Sequence, residues 1–191
     1  MARARKGGID VVFLGDSITD FFDTTGSGVW ELRIAPLGNV ADFGITGDRT
    51  QYLLWRVRNG ELDGSGARVV VLMIGTNNLA PTTPDAVARG VGAILDAIRA
   101  KLPQAIVVLN AILPRGARDD PLRAKLAAVN ALIAPLADGR AVRWLDAGPE
   151  FVDETGALLP GLMPDGLHPS ARGYAVWTEM LRPALLDALG T

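Results

Sequence analysis

At 191 residues, with 49% hydrophobic and 21% charged side chains, the chain is long enough for one domain with its own core and too apolar to stay disordered. A formal net charge of -2 supplies no basic stripe for nucleic acid or an anionic membrane surface, and no apolar run approaches the roughly 20 residues of a membrane-spanning helix. The absence of cysteine excludes disulfides and thiolate chemistry; the single histidine, His168, excludes a three-histidine zinc site and is the only imidazole available for proton transfer.

The opening Met1-Ala2-Arg3-Ala4-Arg5-Lys6 carries the charge of a signal-peptide start, but Gly7, Gly8 and Asp10 interrupt the next residues, where such a peptide needs an apolar run. The chain as written is therefore expected to be cytoplasmic, with a periplasmic or secreted location only if a longer precursor was trimmed. Val11-Val12-Phe13-Leu14, bounded by Gly15, predicts a buried parallel strand, and Gly15-Asp16-Ser17 at its carboxyl end marks a turn toward a helix. A polar, glycine-bearing connection leads to a second strand over 39–44, ending at Gly44-Ile45-Thr46-Gly47-Asp48. Leu53, Leu54 and Val57, with Tyr52 and Trp55 alongside, predict a helix over 50–61, closed by Gly60, Gly64 and Gly66.

The β-branched run over 69–74 predicts a central strand buried on both faces, ending at Gly75-Thr76-Asn77-Asn78. Thr83 and Pro84 open a helix whose Val87, Val91, Ile94, Leu95 and Ile98 share one stripe. A fourth strand over 106–109 precedes Leu113-Pro114-Arg115-Gly116, and Asp120-Pro121 opens a helix carrying Leu122, Leu126, Val129, Ile133 and Leu136 inward. After a fifth strand over 142–145, a glycine- and proline-rich loop reaches Asp165-Gly166-Leu167-His168-Pro169-Ser170. Ser170 caps a final helix through Tyr174, Trp177 and Leu181, expected to bend or break at Pro183. The tryptophans at 30, 55, 144 and 177 are expected in the core.

Strands alternating with helices predict an α/β fold: a three-layer α/β/α sandwich around a five-stranded parallel sheet, as a single domain over 1–191. All carboxyl ends of a parallel sheet lie on one edge, so Asp16-Ser17, Thr46-Gly47-Asp48 and Thr76-Asn77-Asn78 converge there. If the loop with Asp165 and His168 folds over that edge, a Ser-His-Asp arrangement results. Ser17 would attack an ester carbonyl, His168 would carry the proton, and Asp165 would hold the imidazole tautomer. The Ser17 and Gly47 N–H groups and the Asn77 amide would form the oxyanion hole. Plainer readings compete: Ser17 as a helix cap, Gly47 as a turn, Asn77 as a cap, Asp165 and His168 as a local hydrogen bond. Asp16, Thr46 and Asp48 are read as scaffolding. Gly15-Asp16-Ser17-Ile18-Thr19 lacks the second glycine of G-x-S-x-G, which disfavours the α/β-hydrolase fold.

Taken in order, these clusters resemble the blocks of the SGNH (GDSL) hydrolase family, with Ser17, Gly47, Asn77 and His168 matching its four name-giving residues and Asp165 its acid. Phe43-Gly44-Ile45, Leu54-Trp55-Arg56, Asn59-Gly60-Glu61-Leu62 and Leu113-Pro114-Arg115-Gly116 are similar to the subgroup of platelet-activating-factor acetylhydrolase catalytic subunits and their bacterial relatives. The resemblance implies a flavodoxin-like hydrolase domain that cleaves small acyl groups with no metal and no cofactor. Thr46 departs from that subgroup's usual glycine, and Pro169-Ser170 from its usual pair after the histidine. The expected activity is a serine esterase for short acyl esters, acetyl foremost, of a carbohydrate, aryl or lipid alcohol. Its expected partner is that small-molecule ester, with no nucleic acid and no membrane span, and a homodimer is the oligomer to test. The alternative is a non-catalytic flavodoxin-like ligand-binding or interaction module; an FMN phosphate site is disfavoured by Asp20 in the loop after the first strand.

Overall fold

A computed structural model describes residues 8–191; the basic segment at residues 1–6 lies outside them. The chain runs β1 (Val11–Gly15), α1 (Ser17–Asp20), α2 (Ser27–Val29), β2 (Val40–Asp42), α3 (Thr50–Arg58), β3 (Val69–Met73), α4 (Pro84–Lys101), β4 (Ile106–Asn110), α5 (Pro121–Ile133), β5 (Val142–Leu145) and α6 (Ala171–Leu189). All neighbouring strands pair in parallel, in the order β2-β1-β3-β4-β5, with Val11 opposite Val40 on one side and Val69 on the other. This is the flavodoxin-like α/β/α order, and the direction of winding reverses between β1 and β3, where such sheets open a crevice.

The apolar runs are unbroken because both faces of the strands are covered. Val12, Leu14, Val70 and Leu72 pack beneath α3, α4 and α5, meeting Leu53, Val91, Ile94 and Val129. Val11, Phe13, Val69 and Val71, offset by one residue, face Phe22, Ile34, Tyr174, Trp177 and Leu181 on the other side. Thr83 and Asp120 cap α4 and α5 by accepting from Ala86 N and Leu122 N, each followed by proline at the first helical position.

Several expectations change. The connection after Ser17 is mostly helical: α1 is followed by 3-10 turns at Phe21–Asp23 and Ala35–Leu37 and a π-helical turn at Trp30–Ile34. It buries Phe22 and Ile34 against α6 rather than crossing the surface as a polar loop. Helix α3 stops at Arg58, because Gly60 takes φ +101° and turns the chain so that Glu61 N donates to Arg56 O at 3.1 Å. Strand β2 is only three residues, ending where the Asp42 side chain accepts from Gly44 N at 2.7 Å, although Phe43 N and Ile45 N still donate to Phe13 O and Gly15 O of β1 at 2.9 and 3.2 Å. Helix α6 is not broken at Pro183 but continues through it to Leu189. The missing N–H falls on the solvent side, while Leu181, Leu185 and Leu189 keep the opposite face docked. Trp177 is fully buried, but Trp55 is 60% exposed and Leu136 38%. Trp30 and Trp144 are half-buried against the core. Among the described residues, no helix is long and apolar enough to cross a membrane.

Candidate active site

Five connections meet at the carboxyl edge of the sheet, and the two beside the β1/β3 reversal carry Ser17 and Asn77. Ser17 is the first residue of α1, so its N–H has no acceptor within the helix. Asp16 caps this turn, its Oδ1 accepting from Ile18 N at 3.0 Å. Gly15 lets the turn close tightly: a Cβ there would lie 2.0 Å from Thr19 Oγ1 and 2.6 Å from the Met73 carbonyl. Burial, offset in part by the Ile18 N–H and His168, pushes the Asp16 carboxyl up to about 7.

The loop after β5 folds over the same edge. Ser170 ties it down, its N–H donating to Leu162 O at 2.8 Å and its hydroxyl to Gly161 O at 2.6 Å, while Gly116 N donates to Gly166 O at 2.7 Å. This places His168 Nε2 2.9 Å from Ser17 Oγ across 151 residues of sequence, and His168 Nδ1 2.6 Å from Asp165 Oδ2. Asp165 Oδ1 accepts from Leu167 N at 2.9 Å and His168 N at 2.7 Å. Desolvation raises the Asp165 carboxyl, but the backbone N–H and ring of His168 and the Leu167 N–H outweigh it, leaving the group at about 2. It is therefore ionised throughout the neutral range. The Phe21 ring packs on the imidazole, with centroids 4.8 Å apart and planes tilted by 36°.

Gly47 and Asn77 lie on the loops that follow β2 and β3. Gly47 has φ +82°, a left-handed value that disfavours any side chain, and a Cβ there would meet nothing within 4 Å. Backbone conformation, not crowding, calls for the glycine. The Asn77 amide donates one N–H to Asp48 O at 2.9 Å, which leaves its second N–H to point elsewhere. Ser17, His168 and Asp165 are thus brought into one hydrogen-bonded chain, and Gly47 and Asn77 are joined through Asp48.

The residues read as scaffolding are tied into the connections around the site. Thr46 donates from its N–H at 3.0 Å and its hydroxyl at 2.5 Å to Asp20 Oδ2, so the acid after the first strand is tied to the departure from the subgroup glycine. Three features went unread in the sequence: Phe21 on the imidazole, a buried Arg56 bound to Asp48 and Glu61, and Arg115, whose Nη1 donates to Thr76 O at 3.3 Å beside Asn77. Only the Leu-Pro-Arg-Gly and Leu-Trp-Arg blocks could have signalled the two arginines. A cavity of about 400 Å³ lined by Val29, Leu32, Arg33, Thr178 and Arg182 holds none of these groups; hydrogen-bond geometry, not cavity size, locates the site. Among the described residues, no three His, Asp or Glu side chains gather as a metal site.

Comparison with known proteins agrees with this frame. Residues 13–176 match the GDSL-like Lipase/Acylhydrolase family. Platelet-activating factor acetylhydrolase IB subunit alpha1 of Homo sapiens is 39% identical over 181 residues, covering 94% of this chain and 77% of that protein; the alpha2 subunit of Homo sapiens is 37% identical over the same share of each. The fold is shared with a putative acylhydrolase from Bacteroides fragilis (TM-score 0.81, 24% identity, 94% of this chain and 88% of that one). It is shared also with Axe2, an acetylxylan esterase from Geobacillus stearothermophilus (TM-score 0.70, 21% identity, 97% and 95%). The chain belongs to the GDSL-like lipase/acylhydrolase family and is a carboxylic ester hydrolase.

Proposed function

We propose that the protein is a serine esterase that removes short acyl groups, acetyl foremost, from a carbohydrate, aryl or lipid alcohol. The observation that carries this reading is the continuous chain from Ser17 Oγ through His168 to Asp165, with spacings of 2.9 and 2.6 Å. Ser17 Oγ attacks the ester carbonyl carbon as His168 Nε2 takes its proton, and the carbonyl oxygen becomes an oxyanion. The Ser17 N–H, Gly47 N–H and free Asn77 N–H receive that charge, each donor supplying roughly 3 to 4 kcal/mol in such sites. Collapse breaks the bond to the alcohol oxygen, which leaves with the proton from Nε2. Water then repeats the cycle on the acyl-Ser17 ester, returning Ser17 and releasing the acid.

The preference for acetyl is supported by the names of the relatives, an acetylhydrolase and an acetylxylan esterase. The binding-module alternative has less support, because a fixed Ser-His-Asp chain is costly to hold without a use. The test is hydrolysis of p-nitrophenyl acetate, butyrate and octanoate by the wild type and Ser17→Ala, with circular dichroism on both. A loss of about a thousandfold or more is expected; equal turnover by the two proteins rejects Ser17 as nucleophile.

A further inference from the structure

Behind the oxyanion donors lies a cluster of charge that the reaction itself does not use. Arg56 is 8% exposed, Asp48 6% and Glu61 5%. Arg56 Nε and Nη2 both donate to Asp48 Oδ2, at 2.9 and 2.6 Å, and Nη1 donates to the Phe43 carbonyl at 3.1 Å and to Glu61 Oε1. Holding three charges out of water is expensive, and well-packed apolar side chains often serve stability as well or better. Stability alone is a weak reason for this cluster; geometry is a stronger one.

Phe43 follows the end of β2 and Asp48 lies five residues on, so one guanidinium clamps both ends of the loop that contains Gly47. The same Asp48 presents its main-chain carbonyl to the Asn77 amide at 2.9 Å. Two donors on two different connections therefore share one support, Asp48, whose side chain is held by Arg56, while Asp20 holds Thr46 and Ile45 O accepts from Asp48 N at 3.0 Å within the same loop. We propose that Arg56 is a positioning residue for the oxyanion hole, aligning the Gly47 N–H and the Asn77 amide through Phe43 and Asp48 without touching substrate. The inference rests on the esterase reading above. A lysine at this position would keep the charge but not the planar fork that reaches Asp48 and Phe43 together.

The test uses p-nitrophenyl acetate with Arg56→Met, Arg56→Lys, Asn77→Ala and the double variant Arg56→Met/Asn77→Ala. Arg56→Met is expected to lower kcat on the order of a hundredfold while KM stays within about threefold, because misaligned donors act on the transition state. Arg56→Lys is expected to lose on the order of tenfold. The double variant should be hardly slower than the slower single variant, since both lesions act on the same donors. A phenylboronic acid, whose tetrahedral adduct with Ser17 places an anionic oxygen among those donors, should lose affinity in step with kcat. Multiplicative losses in the double variant, an unchanged kcat, or unchanged boronate affinity beside a lowered melting temperature would each overturn the proposal. Should Arg56→Met fail to fold, Arg56→Lys and Asp48→Asn, checked by circular dichroism, carry the same comparisons with Asn77→Ala. Failure of the parent reading is distinct: there Ser17→Ala keeps its activity, whereas here Ser17→Ala is inactive and the Arg56 variants keep full kcat.

Discussion

Replacing Asp165 by asparagine removes a charge and keeps the shape, so its effect can be worked from the bonds around the carboxylate. Oδ1 accepts from two backbone N–H groups and Oδ2 from His168 Nδ1. An asparagine that keeps its oxygen on the backbone donors turns its NH2 toward Nδ1. Nδ1 must then accept, the ring proton moves to Nε2, and Nε2 donates to Ser17 Oγ instead of taking its proton. The flipped amide restores the working tautomer but sets NH2 against two N–H donors, forfeiting two hydrogen bonds worth about 1 kcal/mol each. The idle tautomer is thus favoured by about 2 kcal/mol, roughly thirtyfold.

The variant also loses the negative charge that stabilises the imidazolium in the transition state. The Asp165 side chain is 55% exposed, so solvent screening holds that contribution to about 1 to 2 kcal/mol, well short of a buried pair. The two effects sum to about 3 to 4 kcal/mol, a fall in kcat on the order of a hundredfold to a thousandfold. The assay is initial-rate hydrolysis of p-nitrophenyl acetate at pH 8, with circular dichroism to establish folding. A folded Asp165→Asn that keeps more than about a third of wild-type kcat refutes the tautomer argument.

Burial, with help from Asp23 and Asp20, pushes the Asp42 carboxyl up to about 7 against the pull of the Gly44 N–H, and Oδ2 has no hydrogen-bond partner. The folded state therefore holds a proton that the unfolded chain releases near 3.8, and stability from this group declines as pH rises through 4 to 7. Between pH 5 and 8 the melting temperature of Asp42→Asn is expected to fall less than that of the wild type, by at least about 3 °C; parallel curves would dismiss the argument. Trp177 is fully buried and its Nε1 donates to Asn110 Oδ1 at 3.0 Å. Trp177→Phe leaves that oxygen unpaired beside a new void, and urea unfolding should show a loss of about 2 to 4 kcal/mol.

What the sequence disclosed depended on whether the physics was local. Val69 to Val71 and Val107 to Val108 announce strands because a β-branched run suits a pleat buried on both faces, and those residues do alternate between the two cores. Ser17, Gly47 and Asn77 could be assigned to one edge because parallel strands put every carboxyl end there, whereas His168, which lies 2.9 Å from Ser17 Oγ, sits on a long loop after β5 whose path strand order does not dictate. Helix α3 shows where that logic stops. Its apolar side chains at 52, 53, 54, 55 and 57 wrap nearly the whole circumference, so no stripe tells which face turns inward. The structure buries Leu53, Arg56 and Val57 and leaves Tyr52 and Trp55 to solvent, placing a cation inside and an indole outside. That inversion makes sense only once Asp48, Glu61 and the Phe43 carbonyl surround Arg56, and those partners come from chain on both sides of α3. A charge that violates the local pattern marks where tertiary partners, here the supports of Gly47 and Asn77, have overridden it.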